Sequence, residues 1–121
     1  MDDPETAAVT RAATAAYRAT LAEMPHDGST VRGLVAMAAR HTALYGFHTG
    51  EAERLGLGTP EGVAASQEAT KHGQRAERIL VTALDISTRL AEREAAAKAV
   101  AGTSPRRARL ERLRAGAPTT A

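Results

Sequence analysis

Two apolar seams run through this sequence without a break, and they constrain its fold more than any other feature. Val31, Leu34, Ala38, His41, Tyr45, His48, Ala52 and Leu55 follow one another in alternating steps of three and four. Ala65, Ala69, His72, Ala76, Ile79, Ala83, Ile86 and Leu90 repeat the pattern. A strand needs its apolar side chains at every second residue, and no segment has that alternation, whereas steps of three and four lay side chains along one stripe of a helix. The second seam continues in phase through Arg93 to Ala97 and Val100. One helix is therefore expected over residues 60–101, on the order of 60 Å long at the usual helical rise.

The flanks of the seams supply starts and stops. Asp3, Pro4 and Glu5 offer a cap acceptor, a proline at the first helical position and early negative charge. The first helix is expected to run from there to about Met24. Pro25, His26, Asp27 and Gly28 then read as a turn, with Ser29 or Thr30 expected to cap the second helix. Gly46 and Gly50 lie inside that helix and predict a kink or early fraying near residues 46–50. Thr59 and Pro60 restart the chain as the third helix. Gly102 reads as a helix stop, and Ser104 with Pro105 as the start of a short helix that Gly116 ends.

The fold class that follows is all-α: an antiparallel helical hairpin or three-helix bundle with one long helix and a short basic C-terminal helix. A bundle domain at 1–103 and an Arg-rich tail at 104–121 are the expected division.

Alanine decides how firmly such a bundle can hold. The chain has 28 alanines and only 24 larger apolar residues, and burial stabilises by roughly 25 cal/mol per Å² of apolar surface, so an alanine seam yields little. Ala stripes also let helices approach closely. Self-association is expected through the third helix, where Ile79, Leu80, Leu84, Ile86 and Leu90 concentrate the larger side chains.

The seams carry an unexpected polar cluster. If the second and third helices fold back around Gly58, His72 faces Tyr45 and sits between His41 and His48, with Glu68 one turn before it. The simplest reading is a hydrogen-bonded layer that fixes helix register, as buried polar groups do in coiled helices at a cost in stability. Imidazoles and carboxylates projecting into a bundle core also suit a metal or small ligand. His41, Tyr45, His48, Glu68 and His72 are the candidates for such a site, although the paired Glu-x-x-His motifs of di-iron bundles do not occur. No cofactor is otherwise expected.

The tail holds the excess positive charge. Arg106, Arg107, Arg109, Arg112 and Arg114 surround Leu110 and Leu113, a basic, weakly amphipathic pattern able to meet phosphates or an acidic partner. The interleaved aromatic residues that grip single strands are missing. Phe47 is the one large apolar residue opposite the second helix's seam, expected to meet the first helix or else a partner.

Other classes have no support in the residues. Cysteine is absent, which excludes disulfides, thiolate zinc sites and cysteine nucleophiles. No phosphate loop, nucleophile elbow, zinc motif or dinucleotide fingerprint occurs. The acidic N-terminus, without an apolar run behind it, is expected to be neither signal nor anchor, and the chain to be cytoplasmic with no membrane partner. The function expected is a non-enzymatic helical interaction module, self-associating or a subunit of a larger assembly. The alternatives are a nucleic-acid accessory protein acting through the Arg tail, and a bundle with a His-lined metal or ligand site.

Overall fold

A computed structural model describes residues 3–102, 109, 110 and 112–114 of the chain. Among the described residues it is all-α, built from α1 (Pro4–Glu23), α2 (Ser29–Leu55) and α3 (Pro60–Gly102). No described helix is long and apolar enough to cross a membrane. The chain divides into two compact units, Met1–Thr88 and Arg89–Ala121.

The first unit is a three-helix bundle. The α2–α3 connection shows how closely the sequence is bound to its backbone. Gly56 adopts φ +96, a left-handed conformation that side chains resist. Thr59 then acts as the N-cap expected of it: its Oγ1 accepts from Gly62 N–H at 3.0 Å and faces the Gly56 carbonyl oxygen at 2.8 Å. Gly62 is buried so tightly that a Cβ there would lie 1.8 Å from the Gly56 carbonyl oxygen. This contact brings the start of α3 back against the end of α2 and sets the two antiparallel.

Between α1 and α2 the turn differs from expectation. Gly28 is the N-cap of α2, and neither Ser29 nor Thr30 serves. The reason is His26, whose Nδ1 accepts the Gly28 N–H at 3.0 Å and whose ring fills the space where a Cβ on Gly28 would stand. The helix therefore begins at Ser29, with its first backbone bond from Arg32 N–H to Gly28 O at 2.9 Å. Asp3 occupies the N-cap position of α1 but makes no side-chain cap bond. Gly46 and Gly50 neither end nor interrupt α2, which runs to Leu55.

The core is thin and made of small side chains. On α3 its buried positions are Gly62, Ala69, Ala76 and Ala83, seven residues apart, followed by Ser87. On α2 they are Val31, Val35, Ala38, Ala39, Ala43 and Ala52. That set is wider than one seam because α2 packs against α1 as well as α3. Helix α1 has no buried residue. In the second unit, residues 92–101 of α3 are exposed, and residues 109, 110 and 112–114 are helical and exposed.

Candidate functional site: a histidine column between two helices

The three seam histidines do come together. His41 Nδ1 and His72 Nδ1 are 2.9 Å apart, a hydrogen bond in which one ring donates and the other accepts. Their ring centroids are 5.1 Å apart at 29°. On its other side His72 stacks on His48, centroids 5.4 Å apart and planes 2° from parallel. The column is thus His41, His72, His48, with the α3 imidazole between two from α2. All three rings are half-buried.

Helical geometry explains the arrangement. His41 and His48 stand seven residues apart, two turns on one face of α2, and His72 enters the gap between them. The expected fourth member is placed differently. Tyr45 is 46% exposed, and its ring lies over the neighbouring Gly73, where a Cβ would come within 3.1 Å of Tyr Cδ2. The missing Cβ makes room for the Tyr45 ring beside the column. Glu68 is exposed one turn from His72.

The charges around the column are already committed. Glu68 accepts from Lys71 Nζ at 3.2 Å, which holds its carboxyl below the usual range. Glu51, three residues after His48, accepts from Arg54 Nη2 at 2.6 Å and is held low by that bond. His72 has its pKa pushed below the ordinary imidazole value, first by burial and then by repulsion from His41 and His48. Among the described residues no group of three or more His, Asp or Glu side chains is arranged to hold a metal ion.

The remaining candidates lie elsewhere. Phe47 meets His48 edge-on at 5.3 Å. It lines two troughs with Val9 between α1 and α2, the larger of about 680 Å³ and also bordered by Arg40, Leu44 and His48. Arg109, Arg112 and Arg114 are exposed on helical backbone, while Arg106 and Arg107 lie outside the described residues.

Two further features stand out, a groove that takes in Leu80 and Leu84 of the expected self-association face, and a buried serine without any sequence signal. A groove of about 980 Å³ is lined by Met24, Tyr45, Ala76, Leu80, Val81 and Leu84 among others, with Gly73 at its floor. Ser87 is wholly buried, accepts from His26 N–H at 2.7 Å and donates to the His26 carbonyl at 2.7 Å. A lone serine beside Ile86 gives no hint that it pins the α1–α2 turn onto α3.

Set against known protein families, curated proteins and solved structures, the chain matches none of them.

Proposed function

We propose that this chain is a non-enzymatic helical interaction module that pairs with a second copy of itself through the groove at Tyr45, Leu80, Val81 and Leu84. One observation carries this reading. Among the described residues no Leu, Ile, Met, Phe or Tyr is buried, and the largest fully buried side chains are Val31, Val35 and Ser87. The larger apolar side chains thus keep surface for a contact beyond the fold, as expected of an element that completes its core in an assembly.

The choice of a second copy rests on the shape of that face. A two-fold contact needs a projecting group and a recess on the same patch. Val81 and Leu84 project from α3, 65% and 49% exposed, and the recess beside them opens over Gly73, Ala76 and Tyr45. Polar groups at its border, Thr20, Glu23, Thr42, Thr70, Gln74 and Glu77, suit the rim of such a contact.

The test is light scattering after gel filtration at micromolar concentration, with circular dichroism alongside. The wild type is expected to run as a dimer, and V81D/L84D as a monomer of equal helicity, since both positions are exposed. A wild type that stays monomeric throughout the range overturns the proposal.

A further inference from the structure

We propose that the His41, His72, His48 column is a proton-operated latch between α2 and α3, closed while the Nδ1 pair shares one proton and opened when both of its members carry one. His41 Nδ1 and His72 Nδ1 are separated by 2.9 Å. A hydrogen bond at that distance needs one N–H and one lone pair. Two neutral rings of suitable tautomer provide this, and so does one imidazolium facing one imidazole. Two imidazolium rings do not, because two N–H groups then point at each other and the positive charges repel. His48, stacked on His72, is the third imidazole of the column.

The carboxylates that couple to the column are themselves paired with cations. From α3, Glu68 favours a protonated His72, but its carboxylate is engaged by Lys71, and Arg75 opposes it. From α2, Glu51 is the carboxylate nearest His48 in sequence and is engaged by Arg54, while Arg40 adds positive charge along the trough that His48 borders. From α1, Asp3 and Glu5 border the same trough. Tyr45 places only its ring against Gly73. Protonation of the pair is therefore relieved chiefly by moving α3 away from α2 at this level.

The direction of the pH dependence follows from linkage. The fold favours neutral His72, so this group's contribution is fully present above the ordinary imidazole value of about 6.5. It is lost as pH falls from there through the lowered pKa of His72. The two engaged carboxylates have values lowered from 4.5, so their contributions fade at more acidic pH and leave the histidine window distinct. The latch does not depend on self-association.

The experiment combines imidazole NMR titration of the full chain with amide hydrogen exchange at pH 7.5 and 5.5, corrected for intrinsic exchange chemistry. His72 is expected to titrate below the ordinary imidazole value. Amides in 41–48 and 69–76 are expected to open several-fold more often at pH 5.5, while those of the 56–62 turn, which Thr59 and backbone groups hold without an imidazole, change little. His72→Gln should abolish the acceleration, and His41→Gln is the second variant should the first fail to fold. A wild-type His72 that titrates at or above the ordinary value overturns the latch, as does equal acceleration in wild type and a folded variant.

Discussion

At the scale of single residues, Ser87 carries a sharper structural role than any histidine. Its hydroxyl satisfies both backbone groups of the half-buried His26, and its removal takes the partner from both. Ser87→Ala is expected to destabilise the bundle by about 1–3 kcal/mol, measured by urea unfolding, although it deletes only one atom. Ser87→Thr keeps the hydroxyl but adds a methyl to a fully buried position, so it too should destabilise, through overpacking. Neither effect was legible in the sequence, because a serine on a helix is ordinarily a solvated residue and its partner is 61 residues away. The histidines could be located from their seams. Tyr45 could not be placed, since the absent Cβ of Gly73, not the seam, decides where its ring lies.

At the scale of elements, glycines separate two kinds of position that look alike in sequence. Gly50 lies inside α2, and a methyl added there would meet nothing within 4 Å, so Gly50→Ala should stabilise by about 0.5–1 kcal/mol through helix propensity. Gly62 is near the start of α3, where a Cβ would run into the Gly56 carbonyl, so Gly62→Ala should cost about 1–3 kcal/mol or more as overpacking. Paired thermal melts of the two variants check both signs. The helices themselves were legible because steps of three and four persist along α2 and α3, and Thr59 with Pro60 marks a start. The early fraying expected in α2 near residues 46–50 does not occur, since the helix runs on to Leu55. A glycine weakens a helix without breaking it, and α2 remains helical across Gly46 and Gly50. The buried face of α2 also proved wider than its seam, since Val35, Ala39 and Ala43 extend it. A heptad pattern reports one partner helix and cannot announce a second.

At the scale of the whole molecule, the core has valine and serine as its largest fully buried side chains. Burial that the monomer lacks is supplied, on the pairing proposed above, by the Val81 and Leu84 face of a second copy. Association that favours the folded state makes stability depend on protein concentration by mass action. The most direct measurement is therefore the thermal midpoint of the wild type and of V81D/L84D across a hundredfold range of concentration. Pairing predicts a midpoint that rises with concentration in the wild type and stays fixed in the variant. A wild-type midpoint that does not move with concentration, equal to that of the variant, would contradict it.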